Sequence, residues 1–346
     1  MADTTMLRLL LLLVILFAPL AACSSGPALE RFEFSRICMG VQARVVTYSP
    51  DRESAVSGAA AAFEVLGELN GKFSDYRPDS ELMVLCAGAG GPPVKVSPEL
   101  LEVLLAAEEI SEKTEGAFDI TVGPAVRLWR EARKTGKLPD AAALERARRL
   151  IGWRMVNVDR RAGTVRLERA GMQLDLGGIA KGFAAEKAVG VLKARGLSRS
   201  MVSLAGDIAV GDAPPPPGEA GWRIKVAGEQ GTKEAGPDDG SETLVLTNVC
   251  VSTSGDAEQF VEIEGRRYSH IVDPRTGLGT EGGVSVTVVH TSGAVADALP
   301  TAACVLGVWK GSRAIAGFQC PYAVIEWKTE GGVKKLLMRP GDAVPL

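Results

Sequence analysis

Asp297 and Thr301 stand four residues apart in VADALPTAACVLG, an apolar run that reads as a helix. At that spacing two side chains share one helical face, so a carboxylate and a hydroxyl offer hard oxygens to one point. Such a pair suits Mg²⁺, which takes few protein ligands and leaves room for water and phosphate. The ordinary alternative is a pair facing solvent. The apolar flanks argue for burial, and a buried aspartate without a partner is costly. Pro300, between the two, removes a helical hydrogen bond and is expected to kink the segment and free the Ala296 carbonyl. In LDLGGIAKGFAAEKA, residues 174–188, a short strand stops at Gly177 and Gly178 and restarts as a helix with Lys181 in its first turn. Glycines there let the backbone approach a ligand, the helix start attracts an anion, and Lys181 adds a mobile positive charge. The spacing is neither a Walker loop nor a Rossmann turn, and taken alone a glycine pair is also ordinary connection chemistry.

Two further clusters lie at element ends, where sites concentrate. VSTSGD, residues 251–256, stacks hydroxyls and backbone donors before a glycine, which makes either a phosphate nest or a plain Ser/Thr turn. SHIVDPRTG, residues 269–277, holds one of only two histidines. The Asp273-Pro274 turn closed by Gly277 would fix His270 at a strand end, where an imidazole can move a proton. A lone histidine also serves as surface or core filler, and spacing does not decide between the two.

The elements that must position these groups follow from periodicity. ICMGVQARVVTYS alternates as a strand, 55–69 has helical spacing, and SDYRPDSEL is a loop. The next helix has Ser97 as N-cap, Pro98 at its first position and Gly116 just past its end. AFDITVGPAVRLW is apolar and punctuated, and DAAALERARRLIG reads as a further helix. MVNVD, TVRLE and MQLDL read as strands, and the helix of 180–195 ends at Gly196. SMVSLAGDIAVG, WRIKVAG, ETLVLTNVCVSTSG, GRRYSHIVD and GVSVTVVH read as strands, followed by a helix over 294–306 and a terminal hairpin. DAPPPPGEAG and GEQGTKEAGPDDGS are rich in proline, glycine and charge and read as exposed excursions. The class is α+β: a two-lobed single body of mostly antiparallel or mixed sheets with flanking helices.

The chain of 346 residues opens with Arg8 and LLLLLVILF, long enough for a signal core and short for a membrane span. Leu20-Ala21-Ala22-Cys23 has the form of a bacterial lipobox. The predicted organisation is a signal peptide over 1–22, a tether over 23–34 beginning at lipidated Cys23, and a folded body over 35–346. A lipid at Cys23 would hold the protein on a membrane surface of the cell envelope, facing the periplasm. The net charge of −3 gives no basic footprint for nucleic acid. Five cysteines follow Cys23, an odd number with no C-x-x-C spacing, so a zinc site is not expected and one or two disulfides stay open.

CMGVQA, FSDYRPDSEL, GAFDITVGPAVRLW, LDLGGIAKGFAAEKA, SLAGDIAVG, STSGDAEQF, YSHIVDPRTG and VADALPTA occur in this order over residues 39–307. In this the chain resembles the ApbE family, the FAD:protein FMN transferases. The resemblance implies Mg²⁺-dependent cleavage of FAD, with FMN passing to a threonine or serine hydroxyl of an acceptor protein and AMP leaving. By motif position, Met39, Tyr76, Ala117, Phe118, Asp119, Asp175, Lys181 and Ile271 match family FAD contacts. The Gly178 carbonyl, Asp297 and Thr301 match the metal ligands, and His270 and Asp297 match residues of the transfer chemistry. The acceptor implied is a subunit of an envelope redox complex. Tyr76 is suited to stack on a flavin or adenine ring. Two departures stand out: Val41 where threonine is common, and Ala205 for the first glycine of Gly-Gly-Asp. Two other outcomes would use the same residues: hydrolysis of FAD to FMN and AMP, and flavin binding without turnover.

Overall fold

The structure is a computed structural model that describes residues 28–215, 220–226, 242–255, 260–329 and 332–339. The lipobox with Cys23, the excursion over 228–241 and Asp256 lie outside the described residues. The chain begins with β1 (Glu30–Cys38), β2 (Val41–Ser49), α1 (Arg52–Phe73), α2 (Glu81–Ala87), β3 (Val94–Lys95) and α3 (Pro98–Lys113). A 3₁₀ turn (Ile120–Val122) leads into α4 (Gly123–Thr135), then α5 (Ala141–Arg148), β4 (Val156–Asp159), β5 (Thr164–Leu167) and α6 (Ala180–Ala194). There follow β6 (Ser200–Leu204), β7 (Asp207–Val210), β8 (Trp222–Val226), β9 (Glu242–Leu246), β10 (Val249–Gly255), β11 (Phe260–Ile263) and β12 (Arg266–Ser269). The last elements are β13 (Val284–His290), α7 (Gly293–Ala316), β14 (Tyr322–Thr329) and β15 (Gly332–Met338).

Local chemistry sets the helix bounds. The Asp51 carboxylate accepts from the Ser54 N–H at 2.7 Å and starts α1. A stripe from Ala55 through Ala59, Ala62, Leu66, Leu69 and Phe73 buries one face of that helix. Each fully buried leucine on it contributes about 2 kcal/mol relative to exposure. Ser97 caps α3 through the Leu100 N–H, and the Glu81 carboxylate of α2 accepts from the Ser97 hydroxyl at 2.7 Å, locking the two helix starts together.

Eight antiparallel strands form the main sheet in the order β1-β2-β6-β7-β10-β13-β14-β15. On one face α1 packs over β1 and β2, α6 over β6 and β7, and α7 over β10 and β13. Strand alternation divides the core accordingly: Val45, Val202 and Val288 join the helical side, while Val46, Met201 and Val289 face the other way. The hairpin of β8 and β9 covers that second face with Trp222, Ile224 and Val226. A smaller core of Ala125, Trp129, Ala147, Ile263, Tyr268 and Val272 joins α4, α5 and the β11–β12 hairpin as the second lobe of the expected α+β body.

Several details differ from the sequence expectations. The strand β1 begins at Glu30, inside the stretch assigned to the tether, and pairs with β2 through a two-residue turn at Met39 and Gly40. Both turn residues have positive φ, 52° and 75°, as a type I′ hairpin requires. MQLDL is not a strand: it runs beside the 3₁₀ turn, joined by the Asp175 N–H to the Ile120 carbonyl, and a 3₁₀ turn presents no ladder. The end of SDYRPDSEL is helical, because Ser80 caps α2 through the Met83 N–H. The kink expected at Pro300 falls instead at Gly307 (φ 73°, ψ 180°), and α7 continues beyond it to Ala316. None of the five cysteines among the described residues is disulfide-bonded, so none of the disulfides left open forms among them.

Candidate active site

Two glycines bring α6 and α7 together. A Cβ on Gly182 would fall 2.2 Å from the Gly293 carbonyl, and one on Gly293 would fall 2.1 Å from the Gly182 carbonyl. Only glycine permits this crossing, and it delivers Asp297 of α7 to the first turn of α6. Asp297 is 3% exposed, and its Oδ2 accepts from the Gly182 N–H at 2.9 Å. No side chain at Ile179 caps α6, so this carboxylate satisfies one of its opening N–H groups and sits at the positive end of the helix. The anion attracted by the helix start is thus Asp297 itself.

Lys181 is held, not mobile as the sequence implied. Its Nζ pairs with Asp207 at the start of β7 and lies 3.8 Å from Asp297 Oδ1. Asp207 in turn accepts from the Ser252 hydroxyl of β10. Burial works against the charge on Lys181, but the carboxylates of Asp297 and Asp207 outweigh it and raise the ammonium above the ordinary lysine range. Burial, reinforced by the Asp207 carboxylate and opposed by Lys181, raises Asp297 above the usual carboxylate range.

Thr301, one turn after Asp297 on α7, has its hydroxyl 3.1 Å from that of Ser254 on β10. A Cβ at Gly178 would come within 3.4 Å of Thr301 Oγ1 and 3.5 Å of Phe118 Cε2, so the absent side chain leaves a narrow cradle against the hydroxyl. The Gly178 backbone thus lies beside the Thr301 hydroxyl, one helical turn from Asp297, and with the Gly178 carbonyl these groups could supply a set of hard oxygens. That donor chemistry fits Mg²⁺ completed by phosphate and water. Among the described residues no three His, Cys, Asp or Glu side chains cluster as a metal group, so the fit rests on hydroxyl and carbonyl oxygens as well.

A second group surrounds Asp175, whose Oδ1 accepts from the Gly177 N–H at 2.7 Å and shapes the glycine turn. Its Oδ2 accepts from Arg130 Nη2 of α4 at 2.9 Å, and Arg130 Nη1 pairs with Asp75. The same guanidinium lies over the ring of Tyr76, 4.5 Å from its centroid. Burial, and after it the Asp75 carboxylate, raises Asp175 above the usual carboxylate range. Ala117 and Phe118 are buried, and the Phe118 ring lies against Gly178. Asp119 is buried as well, and both its oxygens are occupied: Oδ1 by the Thr121 N–H and hydroxyl, Oδ2 by the Trp153 N–H. In this state Asp119 braces the segment that carries Phe118.

His270 is half-buried, one residue beyond β12. Its hairpin is held by the Ser269 N–H donating to the Thr280 carbonyl and the Thr280 N–H donating to the Ile271 carbonyl, and the Asp273–Gly277 turn closes it. Trp129, 1% exposed, donates its indole N–H to the Ser269 carbonyl at 3.0 Å. Arg275 pairs with Asp273 and donates to the Val305 carbonyl of α7 at 3.1 Å, docking the His270 hairpin one turn beyond Thr301. A small cleft between them is lined by Ser269, Ile271, Thr280, Glu281, Gly283, Val284 and Cys304. Ile271 is itself buried. Met39 lies at the same end of the sheet as Asp207, because β2 pairs Ala43 with Leu204 and β6 pairs Leu204 with Asp207.

The structure thus joins Gly178, Lys181, Asp297 and Thr301 in one group and Tyr76 with Asp175 in another, with the His270 hairpin fastened to α7. Sequence reasoning missed Asp207, Ser252, Ser254, Arg130 and Arg275 as site residues. Asp207, Ser252 and Ser254 lay within motifs already singled out, whereas no local pattern marked Arg130.

Comparison with known proteins adds an independent line. A model of the ApbE family matches residues 39–324. An FAD:protein FMN transferase of Treponema pallidum (strain Nichols) is 34% identical over 324 residues, 88% of this chain and 87% of the relative. An FAD:protein FMN transferase of Vibrio cholerae serotype O1 is 32% identical over 281 residues, 78% of this chain and 79% of the relative. Among solved structures, a flavin transferase ApbE from Vibrio cholerae superposes with a TM-score of 0.78 at 29% identity, covering 89% of this chain and 97% of that one. The apo form of Pseudomonas stutzeri flavinyl transferase ApbE gives 0.79 at 27% identity, with 92% and 97% covered.

Proposed function

The chain belongs to the ApbE family, and from that premise we propose that it is an FAD:protein FMN transferase that uses Mg²⁺. FMN passes from FAD to a threonine or serine hydroxyl of an acceptor protein. The acceptor oxygen forms a bond to the FMN phosphorus, the P–O bond to AMP breaks, and AMP leaves. The observation that carries this reading is the convergence of Asp297, Thr301 and the Gly178 backbone at the start of α6, with Lys181 and Asp207 beside them.

Asp297, Thr301 and the Gly178 carbonyl would hold the cation, which when bound supplies charge neutralisation to the diphosphate oxygens. The protein's own residues supply position. Phosphoryl transfer depends mainly on alignment and electrostatics, and both carriers here are rigid: α6 and α7 are fixed by their glycine crossing. Asp207 holds Lys181 at the site edge, so its charge stays beside Asp297 and does not sweep solvent. His270, on a hairpin fastened to α7 through Arg275, accepts the acceptor hydroxyl proton. Lipidation at Cys23 would tether the enzyme to an envelope membrane, where the acceptor is a subunit of a redox complex.

Incubation with FAD, Mg²⁺ and flavin-free candidate acceptors, read by flavin fluorescence in a denaturing gel, tests the reading. A labelled acceptor with AMP released supports transfer. Free FMN and AMP with no labelled acceptor would make the protein a hydrolase, and FAD bound with no AMP released would make it a flavin-binding protein.

A further inference from the structure

We infer that Arg130 is a positioning residue that joins Tyr76 into a single guanidinium–phenol platform for a planar ring of the dinucleotide; the inference rests on the flavin-transfer reading above. Tyr76 is 76% exposed on the loop between α1 and α2. An aromatic ring so exposed gains a fixed orientation only from a neighbour. Arg130 is that neighbour, 4.5 Å from the ring centroid, and its own plane is pinned by a fork: one nitrogen to Asp75, adjacent to Tyr76, the other to Asp175 at 2.9 Å. Lysine has no second prong with which to make this bridge.

The fork also joins two parts of the site. The other oxygen of Asp175 takes the Gly177 N–H, so Arg130 links the Tyr76 loop to the turn that presents Gly178. Its helix is anchored by the buried Trp129 next to it, whose indole bonds the strand end that carries His270. The local charge selects the ligand part. Two carboxylates face one guanidinium, a balance that disfavours a phosphate and suits an uncharged or weakly charged planar ring. Guanidinium and phenol faces both stack on heteroaromatic rings. Adenine and isoalloxazine share that chemistry.

FAD, AMP and FMN titrations of the wild type and of Arg130→Gln, Arg130→Lys, Tyr76→Leu and the Arg130→Gln/Tyr76→Leu double variant test this, with transfer kinetics alongside. Arg130→Gln and Tyr76→Leu should each weaken FAD binding about tenfold, the scale of one stacked cationic contact. Each should raise KM while kcat at saturating FAD stays within about threefold. Arg130→Lys should weaken binding nearly as much as Arg130→Gln, since charge without the fork does not hold the ring. The double variant should bind FAD about as weakly as either single one, because the pair acts as a unit. A parallel loss of AMP binding assigns the platform to adenine, and a loss of FMN binding assigns it to isoalloxazine. Asp75→Asn, which removes one prong at the surface, gives the same test if Arg130→Gln does not fold, with a smaller rise in KM. Unchanged binding of all three ligands by a folded variant, or additive losses in the double variant, would overturn the platform. A wild type that binds no FAD would instead overturn the flavin-transfer reading itself.

Discussion

Asp297 is bound through one oxygen by the Gly182 N–H and faces Lys181 with the other, so removing its charge need not unmake the α6–α7 crossing. Asp297→Asn keeps an acceptor for that N–H and removes the anionic ligand. Its transfer rate should fall about a hundredfold or more, several kcal/mol of lost charge stabilisation, with the melting temperature near that of the wild type. Thr301→Ser keeps the hydroxyl beside Ser254 and should cost far less in the same assay. His270→Ala should bind FAD almost normally and lose transfer by about a hundredfold, the usual scale for a general base. Mass spectrometry of the acceptor checks each variant. Unchanged labelling by a folded His270→Ala protein would leave the base elsewhere.

At the scale of elements, Ala205 shows what a departure from the family pattern costs. It occupies the turn between β6 and β7 at φ 56°, the left-handed region where a Cβ is strained, which explains the glycine usual at this position. Ala205→Gly should stabilise the protein by up to about 1 kcal/mol in denaturant unfolding, and a destabilised variant would contradict the strain. Ser97→Ala should cost about 1–2 kcal/mol, since the hydroxyl both caps α3 and bonds Glu81 of α2. Elements with caps and strong periodicity were legible in sequence: α3 starts and stops close to where Ser97, Pro98 and Gly116 place it, and α6 runs as read. MQLDL was misread because an apolar run carries no information on whether its neighbour offers a ladder. Pro300 keeps helical geometry because the helix around it is fully packed, so α7 breaks where a glycine permits positive φ. The Asp297–Thr301 pair was readable from i,i+4 spacing. The partners that hold it, Asp207, Ser252 and Ser254, come from strands far away in sequence, and Arg130 meets Tyr76 across more than fifty positions. No local pattern encodes those meetings.

Among the described residues the main sheet carries α1, α6 and α7 on one face, and the start of β7, the start of α6 and Asp297 of α7 meet at one end of it. On the proposed reading FAD should bind more tightly than FMN, because a dinucleotide would reach from Tyr76 to the glycine turn, whereas FMN lacks the second phosphate and the adenine. Equal affinities in fluorescence quenching would contradict an extended site. Cys23→Ser should leave an unlipidated precursor that is lost from the membrane fraction, and persistence of an acylated, detergent-extracted species would refute the lipobox. The most direct test of the enzyme as a whole is the intact mass of a flavin-free acceptor after incubation with FAD, Mg²⁺ and either the wild type or Asp297→Asn. The expected result is an acceptor heavier by one FMN less a water with the wild type, and essentially none with Asp297→Asn. Equal labelling by both proteins, or AMP release with no mass gain on any acceptor, would contradict it.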